Sequence, residues 1–198
     1  MRAPEPVVLT GPHLVLEPLA RSHVPDLLEA AADPRVWRWL SVPPPRSEAD
    51  VAAMVDQARA DAARLAFAVV VDGRAVGSTS YLDVDVALGG LEVGWTWYRP
   101  EVWASAVNPA CKLLLLTHAF DVLEVERVLL KTDALNTRSR AAITRLGAQY
   151  DGTLRHHRRR PDGSVRDSAL FSVLAAEWPD VRRGLAERLA APATDRGR

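Results

Sequence analysis

The chain has 198 residues with 25 basic and 25 acidic side chains, a formal net charge of zero and a single cysteine. That length suits one sizeable core and is short for two, and the absence of a global basic field argues against nucleic acid or an anionic membrane as partner. Cys111 alone cannot form an intramolecular disulfide, which points to a reducing compartment, and its apolar surroundings mark it as core rather than a catalytic thiol.

No apolar run approaches the ~20 residues that span a bilayer, and the N-terminus lacks the basic-then-apolar pattern of a signal peptide. The expectation is one cytoplasmic domain over 1–198 with a frayed tail at 192–198. Lysine occurs only at 112 and 131; the other basic residues are arginine.

Taken in order, residues 1–12 read as a loose lead-in and 13–18 alternate as a first strand. Ser22 is placed to cap a helix to about Ala32, and Asp33-Pro34 opens a second short helical piece carrying Trp37, Trp39 and Leu40. The proline-rich run 42–46 is a loop, after which Ser47 caps a helix to about Arg64, with Glu48 and Asp50 in its first turn. Strands at 65–71 and 75–82 flank the hairpin turn Asp72-Gly73; a loop over 84–90 leads to a strand at 91–98, giving an antiparallel meander. Pro100 stops that strand, and a helix over 108–122 follows, with Asn108 as N-cap and Pro109 in its first turn. The strand at 126–132 follows a helix, which implies a crossover and a parallel pairing with 91–98. Residues 136–146 form a helix closed by Gly147. Strands near 148–156 and 165–174 flank Pro161-Asp162-Gly163, and a helix over 177–191 closes the chain.

The stretch 101–110 is the focus. Strand, turn of small residues, then helix N-terminus is how a chain presents free backbone N–H groups and a positive dipole end to a phosphate. On the turn alone, a junction that binds nothing is an equal reading. Four segments add specificity: Leu91-Glu92-Val93-Gly94-Trp95-Thr96-Trp97; the turn 101–106; Asn136-Thr137-Arg138-Ser139 with Leu146-Gly147-Ala148; and Gly152 to Arg155 with Asp162-Gly163, Arg166-Asp167 and Phe171-Ser172. Together they resemble the GNAT superfamily of acyl-CoA N-acyltransferases, and within it the branch acetylating ribosomal-protein N-termini. The resemblance covers nearly the whole chain. Two departures stand out: Glu101 where glutamine or arginine is expected, and Ala104 where the first glycine is expected.

The resemblance implies an α/β domain with a mixed, mostly antiparallel sheet of about seven strands. Helices cover both faces, and the fourth and fifth strands (91–98 and 126–132) splay apart. It implies acetyl-CoA as co-substrate and direct attack by a primary amine, with no metal. The acceptor is a protein N-terminus or a small-molecule amine. No nucleic acid or membrane partner is implied, and homodimers are common in the branch. Thr96, Trp97 and Tyr98 would pair with the pantetheine arm through their backbone. Trp103, Ala104, Ser105 and Ala106, with Asn108, would receive the pyrophosphate. Asn136 would touch the pantetheine, and Ser139 would lie near the sulfur as acid or water-orienting hydroxyl.

Glu92 is the choice for general base, since burial raises a carboxyl pKa; a solvent-facing or arginine-paired glutamate is the competing reading. Lys112 reads as a solvated helix residue rather than a second phosphate contact, and His156-His157 as part of an exposed basic hairpin arm. Of Trp37 and Trp39, one suits the core and the other an acceptor groove. The alternative to an enzyme is a weak or inactive acyl-CoA-binding or protein-interaction module of the same fold.

Overall fold

Alternation in the apolar run Arg64–Val71 sets the layers. Phe67 and Val69 enter one buried cluster while Ala66, Ala68 and Val70 enter another, because successive side chains leave a strand on opposite faces. A strand apolar on both faces must be covered twice, and both faces carry helices.

The computed structural model describes residues 1–191; the expected tail at 192–198 lies outside them. Eight strands build one sheet: β1 (Leu9–Thr10), β2 (Val15–Pro18), β3 (Arg64–Val71), β4 (Arg74–Asp85), β5 (Gly90–Tyr98), β6 (Arg127–Asp133), β7 (Gln149–Arg159) and β8 (Val165–Leu174). Their spatial order is β1-β2-β3-β4-β5-β6-β8-β7. Helices α1 (Val24–Ala30) and α2 (Glu48–Ala60) pack on one face, while α3 (Val107–Thr117), α4 (Thr137–Leu146) and α5 (Trp178–Ala190) supply the other cluster. No described helix is long and apolar enough to cross a membrane.

Every pairing is antiparallel except β5 with β6. That parallel ladder holds three pairs, Gly90↔Arg127, Leu91↔Val128 and Glu92↔Leu129, and then stops. Beyond Glu92, β5 continues along β4 to Gly77↔Tyr98, whereas β6 continues along β8 to Asp133↔Ser168. The expected splay is therefore present, with Glu92 at its apex. A bulge lies beyond the apex: Ser78 faces Trp97 but Ser80 faces Gly94, and Trp95 takes φ +47°. An extra residue in one strand of a pair bends it and leaves backbone groups outside the ladder.

Several expectations need correction. The supposed lead-in contributes β1, which pairs with β2 through Leu9↔Leu16 and makes eight strands rather than about seven. Ser22 does not cap a helix: it lies inside a short 3₁₀ turn, where the His23 ring accepts from the Ala20 N–H at 3.1 Å. The loop at 84–90 is shorter because β4 runs on to Asp85, paired with Gly90. Asn108 is not the N-cap of α3; Ala106 holds that position. The capping hydroxyl belongs to Ser105, whose Oγ accepts from the Val107 N–H at 3.2 Å and donates to the Val102 carbonyl at 2.6 Å. The α-helix ends at Thr117, and a π-helical turn over His118–Val122 completes the expected length.

Elsewhere residue chemistry and structure agree. Ser47 caps α2 by accepting from the Asp50 N–H at 3.2 Å, and Asn136 caps α4 by accepting from the Ser139 N–H at 3.1 Å. Gly147 ends α4 at φ +102°, a conformation open to glycine at little cost.

Candidate active site

The gap between β5 and β6 opens into a cavity of about 540 Å³. Its walls include Glu92 through Tyr98 on β5, Trp103 to Ser105, Asn108 and Lys112 at the start of α3, and Asn136 and Ser139 at the start of α4. The residues expected to take catalytic or cofactor-binding roles meet there except Ala106, which precedes α3 without lining the cavity.

At the apex, Glu92 is only 7% exposed. Its neighbour Gly94 makes room for it, since a Cβ on Gly94 would stand 2.7 Å from Glu92 Oε1. The partner is neither solvent nor arginine. Lys131 Nζ lies 2.5 Å from Glu92 Oε2 and 3.1 Å from Asp83 Oδ2, bridging two carboxylates. Burial pushes the Glu92 pKa up; the Lys131 ammonium pulls the other way and the Asp83 carboxylate adds to the rise. Burial works against the Lys131 cation, but the two carboxylates outweigh it and leave its pKa raised.

Along β5, Thr96 Oγ1 receives a hydrogen bond from Lys112 Nζ at 3.0 Å and lies 2.8 Å from Thr79 Oγ1. Lys112 is thus a buried cavity residue and not a solvated one, a correction traceable to its position one turn after Asn108 on the same helix face. Trp97 packs into the core against Trp37, ring centroids 5.3 Å apart, while Trp39 lines the cavity. The half-buried Trp95 lies under the Arg64 guanidinium at 4.9 Å, and burial takes that arginine down to about 10. Tyr98 donates its hydroxyl to Asn108 Oδ1 at 3.3 Å, and its carbonyl accepts from the Trp103 indole at 2.9 Å.

At the turn, Ala104 adopts φ +57°, the left-handed conformation that the expected glycine would take freely. Alanine there costs strain. Glu101 is exposed and held at 2.8 Å by Arg99, which offsets its charge. Two guanidinium groups approach the Trp103 ring, Arg138 at 3.8 Å and Arg35 at 5.5 Å from its centroid. At the opposite end, His156 is exposed as expected, but His157 lines the cavity with Nδ1 2.9 Å from Ser168 Oγ, beside Arg158 and Arg166. Burial and these cations lower its pKa.

Sequence reasoning does not single out Asp83, Lys131, Arg138 or His157 as site residues, and it sets Lys112 aside. The usable signal is the choice of lysine: the chain's two lysines both stand on this cavity.

A sheet opened at its one parallel junction places the protein among α/β domains that can hold an extended ligand against a free strand edge. Comparison with known proteins gives the particular family. A family model described as an acetyltransferase (GNAT) domain matches residues 13–149, and the chain belongs to that family. A Bacillus subtilis protein, YdaF, named as a candidate ribosomal N-acetyltransferase, is 29% identical over 110 residues. That match spans 56% of this chain and 59% of the relative's own length. A crystal structure of a candidate acetyltransferase from T. thermophilus is similar at 38% identity and TM-score 0.88, covering 94% of this chain and 99% of the other. A GCN5-related N-acetyltransferase from Brucella melitensis is similar at 30% identity and TM-score 0.90, covering 94% and 87%.

Proposed function

We propose that this chain, acting as one cytoplasmic domain, binds acetyl-CoA and transfers the acetyl group to a primary amine by direct attack in a ternary complex. The acceptor is a protein N-terminus or a small-molecule amine. The observation that carries the reading is the free edge of β5 beyond Glu92, opening into a cavity that ends at the start of α3. An extended arm of amides fits such an edge as a strand would. In this reading Thr96, Trp97 and Tyr98 pair with the pantetheine through their backbone. The turn from Trp103 to Ala106 and the helix start at Asn108 receive the pyrophosphate, favoured by free N–H groups and the positive end of the helix. Asn136 contacts the pantetheine, and Ser139 orients a water or hydrogen-bonds the thiolate. Glu92 removes the proton from the amine, directly or through a water, and its raised pKa suits that task.

A second reading, a domain that binds acyl-CoA or a partner with little or no turnover, is favoured by one contact. The Lys131 ammonium on Glu92 holds the would-be base as an ion pair. Calorimetric titration with acetyl-CoA and with CoA is the first test. Micromolar binding followed by thiol release with an amine panel supports the enzyme; binding without release supports the second reading. No binding up to millimolar concentration removes both acyl-CoA readings. A Glu92→Gln change is expected to lower the rate while sparing CoA binding, and an unaltered rate rules Glu92 out as base.

A further inference from the structure

Lys112 is a buried charge in this site that the roles above do not use. It is 7% exposed, and a lysine so buried ordinarily has a carboxylate partner. Among the described residues Lys112 forms no ion pair; the carboxylate whose field reaches it, Glu92, is engaged by Lys131. Its one side-chain hydrogen bond among the described residues goes to Thr96 Oγ1 at 3.0 Å, on the bulged part of β5. An ammonium has three N–H donors, so two are left to whatever fills the cavity. Burying an unpaired cation costs stability, and such a group in a low-dielectric pocket is preorganised for negative charge that develops during a reaction. Burial also lowers the Lys112 pKa, which makes its ammonium a stronger acid.

We propose that Lys112 is the catalytic acid of this site, with its ammonium directed at the thioester sulfur. The inference rests on the reading that acetyl-CoA fills the cavity. The amine nitrogen attacks the thioester carbon, a C–N bond forms and its surplus proton passes to Glu92 or water. The C–S bond breaks with its electron pair on sulfur, a Lys112 N–H proton goes to that sulfur, and CoA leaves as the thiol. Lys112, now neutral, regains a proton from water, so the exchange balances as amine plus thioester giving amide plus thiol. Thr96 fixes Nζ in place, and Ser139 is left to orient water.

The chain's two lysines allow a direct test. Protein labelled at the lysine ε-carbon gives two side-chain resonances, assigned with Lys131→Arg, and each is titrated with pH in the presence of CoA or of desulfo-CoA, which lacks only the sulfur. The expected result is a higher Lys112 midpoint in the CoA complex than in the desulfo-CoA complex, because a neighbouring thiolate retains the proton on nitrogen. Equal midpoints overturn the proposal; they are also the result if Lys112 binds phosphate. A second measurement uses Lys112→Met. CoA affinity is expected to stay within about threefold, while single-turnover thiol release falls by about 100-fold, the scale of a lost general acid, and the alkaline limb of the rate profile disappears. Lys112→Arg is not expected to rescue the rate, since a guanidinium gives up its proton too reluctantly. Loss of CoA binding in Lys112→Met, or an unchanged rate, overturns the assignment. Tight CoA binding with equal midpoints removes this inference alone, whereas absence of CoA binding to the unaltered protein removes the function on which it rests.

Discussion

The cost of burying Lys112 predicts that removing it strengthens the fold. Lys112→Met keeps the length of the chain and most of its apolar contact while deleting the charge. Replacing buried ions by apolar groups of similar volume stabilises proteins by up to about 1–4 kcal/mol. The lost bond to Thr96 returns about 1 kcal/mol, because Thr96 keeps Thr79 at 2.8 Å. A net gain of up to about 3 kcal/mol corresponds to a rise in Tm of up to about 12 °C for a chain of this size.

The pH dependence supplies an internal check. Burial holds the folded pKa of Lys112 below its ordinary 10.5, so between those two values the unfolded chain binds more protons and stability rises with pH. The penalty is fully present below the folded pKa and gone above 10.5. Thermal unfolding of both proteins from pH 7 to pH 10.5 is therefore expected to show a gap that is widest at neutral pH and closes as pH rises. A fall in Tm at pH 7, or a gap that ignores pH, refutes the reasoning and makes Lys112 a structural residue.

Three further outcomes follow from particular contacts. Lys131→Met removes the ammonium that pulls Glu92 down, so the acid limb of the pH–rate profile should move to higher pH with KM for acetyl-CoA unchanged; a stationary limb means Glu92 does not set it. Ala104→Gly relieves about 1 kcal/mol of left-handed strain and loses about 0.5–1 kcal/mol to backbone entropy. Tm should then stay within about 2 °C and CoA affinity within about threefold, since the turn already follows the glycine path; a tenfold tightening by calorimetry contradicts this. Arg138→Ala removes a cation that has no carboxylate partner among the described residues from the mouth of the proposed phosphate site. CoA binding should weaken about 3–10-fold at low ionic strength and by less in 0.5 M salt; a salt-independent effect would assign Arg138 to packing against Trp103.

Much of the architecture was legible because it depends on local chemistry. Asp72-Gly73, Ser47, Asn136 and Gly147 mark their turns and caps through side-chain oxygens and permitted φ values, and the helix between strands 91–98 and 126–132 required the parallel junction. What escaped was set by tertiary contact. Leu9–Thr10 is too short to announce itself as a strand and exists through pairing with β2. Asn108 has the right chemistry for a cap, but Ser105 reaches the first free N–H sooner and Asn108 is drawn to the Tyr98 hydroxyl. Glu92 stands out in the sequence by its position in an apolar strand, while Lys131, which pairs with it, belongs to a strand distant in sequence. Lys112 looked solvated because a charge on a helix usually is; only the fold of β5 over α3 reveals the burial.

The short ladder between β5 and β6 has a mechanical consequence. Among the described residues, two half-sheets, β1 to β5 and β6 to β8, are stitched by the three strand pairs from Gly90 to Glu92. An unpaired strand edge at the rim of a sheet invites another molecule's strand; this one lies in the interior, reachable by a thread but not by a second sheet. A ligand lying along it, as proposed above, would stand in for the missing stitches and tie the half-sheets together.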